Sequence, residues 1–105
     1  MPFPEKRDHR ITREQARQMC QAHRSAKALG GPFRAGAFPR EVLDQILAQP
    51  GCAGVRIYLG RNDAGDTTLV ALGTDADGQD MDQGLIVDDA FPCPPFCGEG
   101  SFLEE

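Results

Sequence analysis

The sequence predicts an α+β fold, with two amino-terminal helices packed on a three-stranded antiparallel β-meander and an irregular Pro/Cys-rich carboxyl-terminal tail. Three observations carry this. Apolar residues recur at helical spacing in two segments before residue 50, segments after residue 54 alternate with a period of two between Gly/Asp turns, and "FPCPPFCGEGSFLEE" fits neither pattern. The 105 residues suit one domain, read as a flexible arm over 1–10, an α+β body over 11–91 and a tail over 92–105 that packs on the body or extends from it.

The first helix opens at "ITREQARQMCQAHRSAKAL". Thr12 is a good N-cap, Gln15 three residues on completes a capping box, and Ile11 is placed to staple against Ala16. Ala16, Met19, Cys20 and His23 then form a mildly apolar stripe, and Gly30-Gly31-Pro32 stops the helix. A second helix in "FPREVLDQILAQPG" has Pro39 near its first turn, Val42, Leu43, Ile46 and Leu47 on one face, and Pro50-Gly51 at its end. "CAGVRIYLG" alternates Val55, Ile57 and Leu59 against Arg56 and Tyr58 as a half-buried strand does. "RNDAGD" turns it, with Gly65 free to take positive φ, and "TTLVALGT" returns. The polar loop "DADGQDMDQG" leads to a third, short strand at "LIVDD".

Charge is unevenly laid out. Residues 1–40 carry nine Lys or Arg against three acids, a net +6, whereas residues 41–105 carry two Arg against thirteen acids, a net −11. The expectation is that the basic first half lies near the acidic second half. Nucleic acid is argued against, because the acidic half repels phosphate and Arg10 to Lys27 includes no aromatic side chain to stack on a base. No apolar stretch approaches the roughly 18 residues that span a bilayer, and the charged start "MPFPEKRDHR" is unlike a signal peptide, so a soluble, cytoplasmic protein with no membrane partner is expected.

Four cysteines in such a chain point to thiols, metal ligands or reactive groups and away from a disulfide framework. Cys93 and Pro94 each precede a proline, which favours extended backbone. Four such steps would separate Cys93 from Cys97 by about 12 Å, too far for a disulfide unless a turn at Pro95-Phe96 or a cis proline folds the segment back. Cys20 and His23, three apart on a helix, together with Cys93 and Cys97, make a candidate zinc set of three thiolates and one imidazole. The alternative is that Cys20 is a small core residue, His23 stands half exposed on the helix, and the tail cysteines pack as apolar side chains. Asp75, Asp77, Asp80 and Asp82 are candidate calcium ligands, although their glycine falls at the wrong place for an EF-hand loop. The simpler reading is a turn whose aspartates bond their own backbone. No serine, cysteine or carboxylate stands in a readable catalytic constellation, which favours a non-enzymatic role.

"GVRIYLGRNDAGDTTLVALGTDADGQDM" followed by "CPPFCG" resembles a group of short, uncharacterised bacterial proteins. They have a G-(V/I)-R-I-Y strand, a D-x-x-G-x-D loop and a carboxyl-terminal C-P-x-x-C type tail. The resemblance spans 38–100 and marks Gly54, Arg56, Tyr58, Asp75, Gly78, Asp80, Cys93 and Cys97; Cys20 and His23 lie outside it. It implies that hairpin and tail belong to one domain, and it implies no activity. The functional expectation is therefore a small module that binds another protein through Arg56 and Tyr58 on the sheet, or through Pro94, Pro95 and Phe96 in the tail. The alternative is a zinc-stabilised or thiol-reactive domain centred on Cys93 and Cys97.

Overall fold

A computed structural model describes residues 6–25, 34–100 and 102–104; the side chains of residues 23–25 and 104 lie outside that description. The order of elements is α1 (Arg13–Ser25), β1 (Ala35–Ala37), α2 (Arg40–Leu47), β2 (Gly54–Arg61), β3 (Thr67–Thr74), β4 (Ile86–Val87), β5 (Phe91–Cys93) and a 3-10 turn, η1 (Phe102–Glu104). β2, β3 and β4 form the expected antiparallel sheet in that order, and β1 pairs antiparallel with β5 in a second, two-stranded sheet.

The hairpin is the backbone of the fold. Eight residues of β2 pair with eight of β3, from Gly54 opposite Thr74 to Arg61 opposite Thr67. Its turn closes locally: the Gly65 N–H donates to the Asn62 carbonyl, and the Asp66 N–H donates to the Asn62 side chain, both at 2.9 Å. Gly65 takes φ +86°, a region that side chains disfavour, which explains the glycine there.

Side chains of paired residues share a face, so Val55, Ile57 and Leu59 lie with Gly73, Ala71 and Leu69. The end of α2 covers the first part of that face. Ile46 is fully buried, and a side chain added at Gly73 would meet the Cys52 sulfur, the Met81 sulfur and the Gln49 amide at 3.0–3.3 Å. Gln49 then ties the corner together: its amide donates to the Ile46 carbonyl at 2.9 Å, and its oxygen accepts from the Leu85 N–H at 2.8 Å. Among the described residues the buried apolar core is small: Ile46, Ala71, Leu72, Ala90 and Cys93.

The arrangement of helices and strands departs from the sequence reading in three places. First, α2 packs on β2 and β3, but α1 lies chiefly against η1, where the Arg13 guanidinium sits 3.9 Å above the Phe102 ring centre. Among the described residues, α2 is thus the helix that packs on the sheet. The capping box of α1 is present in both directions, with the Gln15 N–H donating to the Thr12 hydroxyl and the Thr12 N–H to the Gln15 side chain. Its half-buried side includes Ala16, Arg17 and Cys20, while Met19 faces solvent. A helix so poor in large apolar groups finds its contact in an aromatic–cation stack.

Second, the tail is not wholly irregular. Phe91–Cys93 forms β5, with Ala35 opposite Cys93 and Ala37 opposite Phe91, and the Arg34 N–H donates to the Cys93 carbonyl at 2.9 Å. Third, the Ala35-Gly36-Ala37 segment becomes a strand because that partner is available; nothing in its own composition favours one.

Candidate functional site

Two places gather the residues singled out above. The first lies on the sheet face opposite α2. Arg56 pairs with Leu72 and Tyr58 with Val70, which turns both polar side chains to that face. β3 runs directly into the aspartate loop, and Asp80 forms a bridge with Thr74, so its carboxylate arrives beside them. The Arg56 guanidinium donates to Asp80 Oδ1 at 2.6 Å and to the Gly78 carbonyl at 3.2 Å, and the Tyr58 hydroxyl donates to Asp80 Oδ2. The hydroxyl of Tyr58 and the guanidinium of Arg56 hold the Asp80 carboxyl below its ordinary range. The same carboxylate raises the Tyr58 phenol and the Arg56 guanidinium.

This arrangement joins the two motifs of the hairpin and loop. Arg56 and Tyr58 of the strand grip Gly78 and Asp80 of the D-x-x-G-x-D segment. Asp75, the first residue of that segment, is occupied locally: its Oδ1 accepts from the backbone N–H groups of Asp77 and Gln79, both at 2.9 Å. Gly78 at φ +77° closes the turn. Asp77 and Asp82 are exposed. Asp75 thus bonds its own turn and Asp80 clips the loop to the strand, while Asp77 and Asp82 stay exposed, and among the described residues the four share no oxygen cage. Among the described residues, no three His, Cys, Asp or Glu side chains come together to hold a metal ion.

The second place is the tail loop. Cys93 and Cys97 are joined by a disulfide, with their Cα atoms 4.8 Å apart. The extended path expected for this segment is corrected here: the Cys93–Pro94 and Pro94–Pro95 peptide bonds are both cis, and the chain folds back on itself. The Phe96 N–H donates to the Pro92 carbonyl at 2.8 Å and the Cys97 N–H to the Pro95 carbonyl at 3.0 Å. The two sulfurs are bonded to each other, so in this structure neither is a free thiolate for the candidate zinc set. Cys20 is a separate half-buried thiol on α1, and the side chain of His23 lies outside the described residues. Cys52, also a free thiol, donates to the Gly54 carbonyl at 3.2 Å.

Folding back has a consequence for Phe96, which meets Phe91 of β5 edge to face with ring centres 5.5 Å apart. The contact leaves both rings largely in solvent, Phe91 50 % and Phe96 61 % exposed. Phe91 has no part in the tail motif and was not singled out from the sequence. The available signal was its place five residues before Phe96, on the other side of the Pro94-Pro95 run. Among the described residues, no helix is long and apolar enough to cross a membrane. Compared with known protein families, curated proteins and solved structures, the chain gives no match.

Proposed function

We propose that this chain is a protein-binding module whose contact surface is the aromatic pair formed by Phe96 in the disulfide-closed loop and Phe91 in the strand beside it. The observation that carries the reading is the exposure of two aromatic rings that already hold each other in a fixed geometry. An aromatic ring left in water has no folding benefit from that exposure, and one held in place in advance loses little freedom on docking, where ordering a mobile side chain costs about 0.5–1.5 kcal/mol. Pro94 and Pro95 stiffen the loop between them. Arg56 and Tyr58 are the weaker candidates, because both already use their polar groups on Asp80.

Charge narrows the partner. Asp88, Asp89 and Glu99 flank the loop in sequence within a strongly acidic half of the chain. The complementary surface is an apolar cleft, wide enough for a ring and bordered by Lys or Arg. Replacing Phe96 with the photocrosslinker benzoylphenylalanine tests this in cells of the source organism. The expected result is one discrete adduct, competed by excess unmodified chain and not by a Phe91→Ser chain. Adducts matching those from the same probe at Asp63, in the exposed hairpin turn, would dismiss the loop as the contact.

A further inference from the structure

We propose that the Cys93–Cys97 pair is a thiol–disulfide exchange site, in which the thiolate of a dithiol reductant attacks the Cys97 sulfur and Cys93 is the leaving thiolate. Three observations lead there. The bridge spans a sequence separation of 4, so it encloses only Pro94, Pro95 and Phe96 and ties no distant part of the chain to another. A disulfide that staples a fold gains most from closing long loops, and this one closes a short one.

The two sulfurs also sit in unequal surroundings. Cys93 is 6 % exposed, paired with Ala35 in β5 and held by the Arg34 N–H on its carbonyl. Cys97 is exposed and lies beyond the last strand pairing of the loop. Exchange requires an approach to one sulfur from outside, and access selects which one. The other two described thiols do not compete for the role: Cys52 is bonded to the Gly54 carbonyl, and Cys20 lies on α1 outside the bridge.

The step balances without a further reactant. One thiolate of the dithiol forms a bond to the Cys97 sulfur as the bond between Cys97 and Cys93 breaks, and the electron pair leaves on Cys93. The second thiol of the reductant then attacks its own sulfur in that mixed disulfide and releases Cys97. The reductant ends as a cyclic disulfide, and the cysteine pair has gained two electrons and two protons. Strand pairing keeps Cys93 in place throughout, so it is positioned to displace a bound thiol and close the ring again when the reaction runs backward.

The proposal concerns the purified chain alone and so stands or falls separately from the docking reading. The test treats the folded, oxidised full chain with dithiothreitol and maps thiols by maleimide mass tagging. The expected result is reduction of the pair without unfolding, as followed by circular dichroism. Single variants compare how accessible the two sulfurs are to an exchange partner. With an aromatic disulfide as probe, Cys97 in the Cys93→Ser chain should form its mixed disulfide on the order of ten-fold faster than Cys93 in the Cys97→Ser chain. A pair that resists dithiothreitol until the chain is denatured would overturn the proposal, as would equal rates at the two positions.

Discussion

Removing the bridge while keeping the loop's backbone bonds isolates what the disulfide contributes. The perturbation is the double substitution Cys93→Ser, Cys97→Ser, nearly the same in volume. The ring runs from Cys93 to Cys97. In the chain-entropy account, releasing so short a closure costs about 2 kcal/mol, a factor of about 30 in the open-to-closed ratio of the loop. Two backbone hydrogen bonds remain, from Phe96 to Pro92 and from Cys97 to Pro95, each contributing about 0.5–1.5 kcal/mol, so the loop should loosen without being lost. The assay is native-state hydrogen exchange at the Phe96 amide, which donates across the loop and reports its opening directly. Its exchange should quicken by about 30-fold in the variant, while the amides of Ala71 and Leu72, in the other sheet, keep their protection. Equal protection of Phe96 in the two proteins would refute the reasoning and place the stability of the loop in the β1–β5 pairing.

Three other outcomes follow from the structure. Gln49→Ala leaves the Leu85 N–H without its acceptor and should destabilise the chain by about 1–3 kcal/mol in urea unfolding; an unchanged midpoint would mean that the α2–β4 corner is held by other contacts. Ile46→Ala should cost about 2–5 kcal/mol and Ile46→Val about 0.5–1.5, an ordering that thermal unfolding checks. Tyr58 is the sole tyrosine, so its alkaline absorbance titration reads the clip alone, and Asp80→Asn should lower the midpoint that the carboxylate raises. The sign at each end of the pH range is set by those shifts. Asp80 titrates lower folded than unfolded, so its contribution is present above its ordinary 3.8 and fades as pH falls through the depressed folded value. Tyr58 titrates higher when folded, so its contribution is present below 10.0 and fades as pH rises through the raised value.

What could be read in advance was local. The Thr12–Gln15 capping box, the Asn62–Asp66 turn with its glycine and the self-bonding of Asp75 depend on residues at most four apart, and each is written in a short string. β1 was hidden because Ala-Gly-Ala has no strand preference of its own and takes its form from Phe91–Cys93, more than fifty residues away. The tail bridge was hidden because a proline run reads as extended, and the isomer of an X–Pro bond is decided by surroundings that the run does not contain. Asp80 stood between these cases. The parity of the hairpin puts Arg56 and Tyr58 on one face, and the loop that follows β3 begins at the same end, but only the bridge from Thr74 to Asp80 shows which carboxylate arrives there.

The grip of Arg56 and Tyr58 on Asp80 also bears on how the hairpin avoids misfolding. Side chains alternate along a strand, so sliding β2 by a single residue would turn Arg56 and Tyr58 toward Ile46 and send Val55 and Ile57 to the other side. The small apolar core penalises that error weakly, since among the described residues Ile46, Ala71 and Leu72 are the deeply covered apolar side chains of α2 and the hairpin. A slipped hairpin would in addition separate the guanidinium and the phenol from the one carboxylate that both of them use. The polar clip thus rejects wrong pairings that a core of this size would tolerate.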